Sequence, residues 1–371
     1  MRKMLRRGVP VLLFVALTAT ACSSGSDDAM NDMDAPPVQY VEDEDELDLD
    51  EDDIDGSDEE EEQNEEKDGE ATEEDGVDEA VADLVEREVY LFDQNGLVVP
   101  QTIMVPKNIE VLQQSLEYLV EGGPVTELLP SGFKAVLPPG TEMNVNLKDG
   151  VATANFSEEF REYDPKMERE IVEAITWTLT QFETVESVKI QINGYEQKVM
   201  PHQNTPIGEG VSRKDGINLE TAGLVNLVNS ESVTLYFLGD NGEYTYYVPV
   251  TRSVASGLDN PYQVAVEELL SGPLPNTSYR LLSDIRGATL LDEPIFQDGV
   301  VTLNFSEELL TGIETTTVSE TALNMLALTL TEQEGVEEVA LLVEGNEEVM
   351  MESGEVVETL TRPKDINTGK Y

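Results

Sequence analysis

The chain has one cysteine, Cys22, one histidine, His202, and one tryptophan, Trp177. A lone cysteine excludes an internal disulfide, a Cys-x-x-Cys redox site and a thiolate metal cluster. A Ser-His-Asp or Cys-His triad, or a histidine-based zinc site, would have to be built around His202 alone. Positive charge is equally scarce. The 371 residues hold 22 Lys and Arg against 77 Asp and Glu, a net charge of −55. Such a balance excludes a nucleic-acid surface and opposes docking on anionic lipid headgroups; it is a carboxylate surface of the kind that stays soluble in salty or alkaline media. Long apolar runs are missing too. The uncharged stretch 9–21 has thirteen residues, whereas a helix crossing the hydrocarbon needs about 20.

That stretch follows a positive region with Arg2, Lys3, Arg6 and Arg7, so residues 1–21 read as a signal peptide. Ala19-Thr20-Ala21-Cys22 resembles the lipobox of bacterial lipoproteins, with Ala19 where Leu is more usual. The resemblance implies cleavage before Cys22 and lipid on its sulfur, with palmitate among the acyl chains. The alternative is ordinary secretion with Cys22 left as a free thiol. Residues 22–86 then form an acidic spacer. Between Asp27 and Glu79 lie 29 acids and one lysine, too little apolar surface to offset the entropy of ordering. As a flexible chain of about 60 residues it has a root-mean-square span of roughly 40–45 Å, lengthened by charge repulsion. Within it Glu51, Asp53, Asp55, Gly56 and Glu62 fall at calcium-loop spacings. Position 1 is Glu, position 8 is Asp58, and no amphipathic helix flanks the run, so a solvated spacer is the reading and no metal or other cofactor is expected.

The rest of the chain is a repeat. Asn155-Phe156-Ser157-Glu158-Glu159 recurs 149 residues later as Asn304-Phe305-Ser306-Glu307-Glu308, preceded by Asp149-Gly150-Val151 and Asp298-Gly299-Val300. Two domains, 88–204 and 231–362, are expected, with a Gly- and polar-rich linker over 205–230 and a tail over 363–371. Each module reads ββ-α-ββ-α-β, an α+β fold with helices on one face of a mostly antiparallel sheet. Asn95-Gly96 and Asn241-Gly242 read as type I′ hairpin turns. The first helix is expected to carry Ile109, Leu112, Leu116, Leu119 and Val120 and to close at Gly122-Gly123-Pro124. The second carries Ile171, Ile175, Leu179 and Phe182. Ala152, Ala154 and Phe156 alternate inward, as do Val301, Leu303 and Phe305.

The Gly-Pro helix stop, the Leu137-Pro138-Pro139-Gly140-Thr141 loop, the Asp-Gly-Val hairpin and Asn-Phe-Ser-Glu-Glu together resemble the GerMN domain family. Two such domains behind a lipobox resemble the GerM-like lipoproteins of sporulation and spore germination. In the second copy Ile285-Arg286-Gly287-Ala288-Thr289 stands where the Pro-Pro-Gly-Thr loop belongs. The resemblance implies a lipid-anchored protein on the outer face of the cytoplasmic membrane, in the mother-cell membrane facing the forespore. It also implies partners among envelope or sporulation channel proteins, and a core similar to ring-building modules. It leaves the oligomeric state open.

No residue set reads as catalytic. The Glu158–Glu159 and Glu307–Glu308 pairs are adjacent and point apart, and Ser157 and Ser306 before them read as helix N-caps. His202 reads as a surface loop residue and Trp177 as core. Exposed apolar groups for binding a partner are sought in the loop 129–141, at Leu129, Phe133, Val136 and Leu137, although the same residues suit a cap on the core. Three functions follow in order: a non-enzymatic scaffold or assembly factor, an envelope or cell-wall ligand-binding module, and a hydrolase.

Overall fold

The computed structural model describes residues 83–368, except 221–229, 258–259, 276–278, 286 and 312–316. The signal peptide, Cys22, the acidic spacer up to residue 82 with its calcium-like spacing, and Arg286 lie outside the described residues, and the spacer's last residues, from Leu84, already belong to the first strand. No helix among the described residues is long and apolar enough to cross a membrane.

The first module opens with a hairpin of β1 (Leu84–Phe92) and β2 (Val98–Pro106). A short helix α1 (Val111–Glu117), the strands β3 (Met143–Lys148) and β4 (Val151–Phe156), helix α2 (Glu168–Leu179), β5 (Ser187–Ile192) and β6 (Tyr195–Glu196) follow. The second module repeats this as β7 (Ser230–Asp240), β8 (Thr245–Ala255), α3 (Pro261–Ser271), β9 (Ile295–Gln297) and β10 (Val300–Phe305). It then adds β11 (Thr317–Val318), α4 (Glu320–Thr331), β12 (Glu338–Val343), β13 (Met350–Met351) and β14 (Leu360–Thr361). The fold is α+β with mostly antiparallel sheets. Each module has a hairpin and a separate four-stranded sheet, ordered β3-β4-β5-β6 and β14-β12-β10-β9, and the second also has the short parallel pair β11–β13. The pairs β4–β5 and β10–β12 are parallel, because a helix carries the chain across between them.

The period-two pattern places the core as expected. Ala152, Ala154 and Phe156 face Val188, Ile190 and Ile192, while Val301, Leu303 and Phe305 face Val339, Leu341 and Val343, all buried. Helix α2 rests on both the hairpin and the sheet, burying Ile171, Ile175, Trp177 and Leu179. Its Thr178 hydroxyl accepts the Tyr90 N–H at 3.0 Å, and Thr329 of α4 accepts the Tyr236 N–H at the same distance. These bonds satisfy two strand donors that the hairpins leave open.

Local chemistry corrects several expectations. Asp149 and Gly150 have φ of 51° and 78°, and Asp298 and Gly299 have 51° and 85°. Positive φ at both central residues is the type I′ signature, so the two-residue hairpins turn at Asp-Gly. At Asn95-Gly96 only Gly96 is left-handed, and the Asp93 carboxylate accepts the N–H groups of Asn95 and Leu97, giving a longer bulged turn. Asn241 turns its side chain onto the Glu243 and Tyr244 N–H groups in a four-residue loop. The first helix is shorter than expected. Ile109 precedes it and is 97% exposed, and Val120 follows it, bridging Leu137.

The recurring Asn-Phe-Ser-Glu-Glu motif is structural in both copies. The Asn155 side chain accepts the Gly194 N–H at 2.7 Å, and Asn304 accepts that of Gly345 at 2.9 Å. Phe156 and Phe305 fill the core. Ser157 and Ser306 precede short 3-10 turns but do not cap them. Their hydroxyls accept the N–H of Glu142 and Thr289, both at 3.1 Å, and so hold the preceding loop.

Candidate functional site: the junction between modules

The described residues form one compact unit, and a single apolar cluster runs from Val89 to Leu360 through both modules. What joins the modules is a pair of equivalent polar straps. After β6 the chain continues through Arg213-Lys214-Asp215-Gly216-Ile217-Asn218; after β14 it continues through Arg362-Pro363-Lys364-Asp365-Ile366-Asn367.

Asn218 and Asn367 both adopt left-handed φ, 46° and 53°, a conformation that asparagine tolerates better than most residues. Asn218 accepts the Val98 N–H at 2.9 Å and donates to the Val98 and Pro249 carbonyls at 2.7 and 2.8 Å. Asn367 accepts the Tyr247 N–H at 2.8 Å and donates to the Tyr247 and Pro100 carbonyls, each at 2.9 Å. Each asparagine therefore grips its own module's hairpin and reaches the proline carbonyl of the other. One residue earlier the straps cross. Ile217 exchanges bonds with Thr251 of the second module, its N–H onto the hydroxyl at 2.9 Å and its carbonyl taking the N–H at 2.8 Å. Ile366 does the same with Thr102 of the first, at 2.9 and 2.8 Å.

A charge cluster closes the same junction. Glu332 at the end of α4 receives Arg213 at 2.9 Å and Arg362 at 2.7 Å, with the Tyr236 hydroxyl at 3.0 Å. Burial opposes its charge, but the two guanidinium groups prevail and hold its carboxyl below the usual range. Arg213 lies over the Trp177 ring, 4.3 Å from its centroid, and the indole N–H donates to the Gly216 carbonyl at 3.1 Å. Arg252 pairs with the buried Glu220 at 2.8 Å and with Glu268 at 2.8 Å. Glu168 of α2 organises the turn before the strap. Burial raises its pKa, but the N–H groups of Thr205 and Gln203 outweigh that and take it to about 2.

The proposed partner-binding loop proves to belong to this junction. Phe133 is 6% exposed, Val136 5% and Leu137 1%, while Leu129 is half-buried against the core. The loop therefore does not present them as free contact surface. Phe133 meets the Tyr246 ring of the second module edge-on at 5.1 Å, and the Ser131 carbonyl accepts from Asn241 and Tyr244. Leu137 pairs with the strand-like turn at Leu119 and Glu121. Sequence periodicity left this loop unassigned because backbone bridges and a neighbouring module, rather than a helix or strand, bury it. Trp177 is core, as expected. His202 is exposed, its ring bonded to the Arg161 carbonyl at 2.8 Å. Glu158 pairs with Arg161 at 2.6 Å and accepts from Asn193 at 2.7 Å.

Known proteins share this doubled architecture. The family model "Germane: Sporulation and spore germination" matches residues 88–198 and again 234–349. The chain belongs to the Germane family. It is 40% identical over 383 aligned residues to "Spore germination protein GerM" of Bacillus subtilis (strain 168), covering 99% of this chain and 100% of that protein. Among solved structures it matches the "Tandem GerMN domains of the sporulation protein GerM from Bacillus subtilis" with a TM-score of 0.72 and 45% identity. That match covers 77% of this chain and all of the solved one. The chain is thus a GerM-like sporulation and germination protein with tandem GerMN domains. The strap motif, repeated at the same 149-residue interval as Asn-Phe-Ser-Glu-Glu, was the sequence signal that could have revealed the junction.

Proposed function

We propose that this family member is a non-enzymatic scaffold or assembly factor acting by protein–protein contact in the sporulating cell envelope. It is anchored by lipid at Cys22 to the outer face of the cytoplasmic membrane, in the mother-cell membrane facing the forespore, and its partners are envelope or sporulation channel proteins. One observation carries the contact reading. The edge strands β3 and β9, equivalent in the two modules, expose apolar side chains on a strongly acidic protein: Leu147 is 39% exposed and Ile295 64%. Edge strands are usually blunted by charge, so apolar groups there suit a covered face. Leu147→Lys with Ile295→Lys is expected to leave the unfolding free energy within about 0.5 kcal/mol of the parent. The same variant is expected to abolish partner capture from sporulating cells. Unchanged capture would remove these edges from the contact surface.

The anchor has its own test. Cys22→Ala is expected to move the protein from the membrane to the soluble fraction, and mass spectrometry of the parent should show an acylated N-terminal Cys22. An unmodified N-terminus at another residue would overturn the anchor. An envelope or cell-wall ligand-binding module is the second reading. Supporting it is a cleft of about 1020 Å³ between the modules, lined by Trp177, Lys214, Glu231 and Thr251 among others.

A further inference from the structure

We propose that Glu173 makes one of the two straps pH-responsive: its ionisation releases the Asn218 strap from the junction while the equivalent Asn367 strap stays closed. Glu173 lies on α2, is 7% exposed, and accepts the Asn218 backbone N–H at 2.9 Å. It thus holds the residue that bridges Val98 to Pro249. No ion pair among the described residues includes it. Beside it a pocket of about 140 Å³ is bounded by the strap itself, at Val211, Gly216 and Leu219, and by Thr176, whose buried hydroxyl has no partner among the described residues. Glu173 lines this same pocket, so lifting the strap would widen the access of water to its carboxylate.

The second module supplies the contrast. Thr178 and Thr329 fix the helix equivalence, 151 residues apart, and that interval places Asn324 opposite Glu173. Asn324 is neutral and donates to the Tyr247 hydroxyl at 3.1 Å. The two straps therefore share their geometry, and one of them carries a titratable acid.

The charges around Glu173 do not neutralise it. Arg169 and Glu170 flank it on its own helix, and Asp215 faces it across the pocket from the strap. The second module brings Tyr279, whose phenol is pushed up first by burial and then by Glu220 and Glu173, against Arg252. Elsewhere around α2, Glu88 of β1 is engaged with Arg362, Lys189 of β5 with Glu196, Glu117 of α1 with Gln113, Arg213 of the strap with Glu332, and Glu168 with the 202–205 amides, while Arg87 of β1 lies over Phe182. Strand β2 carries no titratable side chain. Burial outweighs the Asn218 N–H, which favours the charged form, and takes the Glu173 carboxyl up to about 8 from 4.5.

The sign follows from linkage. The closed strap keeps a proton that the open strap gives up near its ordinary value. Closure is thus most favoured below about pH 4.5, and the advantage is lost as pH rises to about 8. Each pH unit in that window shifts opening by about tenfold.

The test is amide hydrogen exchange on the full chain from pH 5 to 9, expressed as protection factors corrected for intrinsic rate. The Asn218 and Thr251 amides are expected to lose tenfold or more protection between pH 6 and 8. The Thr102 amide, bonded to Ile366, stays level as the internal control. Glu173→Gln keeps an acceptor for Asn218 and is expected to abolish the pH dependence, with a parent-like midpoint at pH 5. Glu173→Asp keeps a titratable group and is expected to retain the dependence. Parallel loss at Thr251 and Thr102, a flat parent profile, or an undiminished drop in Glu173→Gln would each overturn the proposal.

Discussion

Phe133→Ala combined with Leu137→Ala should bring the protein close to unfolding at physiological temperature. Both side chains are buried, Phe133 against Tyr246 of the second module and Leu137 against the turn at Leu119. Removing a buried Phe costs about 3–5 kcal/mol and a buried Leu about 2–5, depending on how far the site collapses. Their surroundings differ, so the two costs should add approximately. The sum is comparable with the whole stability of an ordinary domain, about 5–15 kcal/mol. Urea unfolding followed by circular dichroism measures it. A double variant within about 1 kcal/mol of the parent would show the loop to be contact surface after all.

Asn218→Ala has the second large effect, and its mechanism is polar. The substitution leaves the Val98 N–H and the Val98 and Pro249 carbonyls without their partner inside the junction. An unsatisfied buried group costs about 1–3 kcal/mol, so the three together are expected to cost roughly 3–9 kcal/mol. The left-handed backbone at residue 218, which alanine adopts poorly, adds a further cost. Asn218→Gly separates the two contributions, since glycine accepts φ of 46° and lacks the same side chain. Trp177 fluorescence reports the loss directly, because Trp177 bonds the Gly216 carbonyl of the same strap. The parent is expected to unfold in one transition, its core being shared. Asn218→Ala should lower the urea dependence of unfolding as well as the midpoint if the modules begin to separate. An unchanged midpoint in Asn218→Ala would remove the strap from the structural account.

The two predictions concern the same surface from opposite sides, and that has a functional meaning. The second module completes the first: the hairpin tip at Asn241 and Tyr244 holds the loop of the first module, and Asp93 of the first accepts the Tyr246 hydroxyl of the second at 2.8 Å. The proposed scaffold would thus offer its partners two equivalent sheet edges held by one shared core rather than two beads on a string.

Several features of this arrangement were legible in the sequence by itself. The alternation at Ala152, Ala154 and Phe156 and its echo at Val301, Leu303 and Phe305 determined the sheet faces, because a strand's side-chain period is two whatever surrounds it. The 149-residue repeat determined that the fold is built twice, and the lack of a second cysteine or histidine limits the chemistry whatever shape the chain takes. Turn type was only partly legible: Asp-Gly and Asn-Gly are alike in propensity, and the register of the flanking strands selected the bulged form at Gly96 and the tight form at Gly150. The roles of Phe133, Leu137, Asn218 and Glu173 were decided by tertiary structure alone. Their partners lie in other elements or in the other module, up to 120 residues away for Asn218 and Val98, and no local pattern carries a contact of that separation. Burial of a polar residue depends on what closes over it, and here that is the strap of one module lying against the hairpins of both.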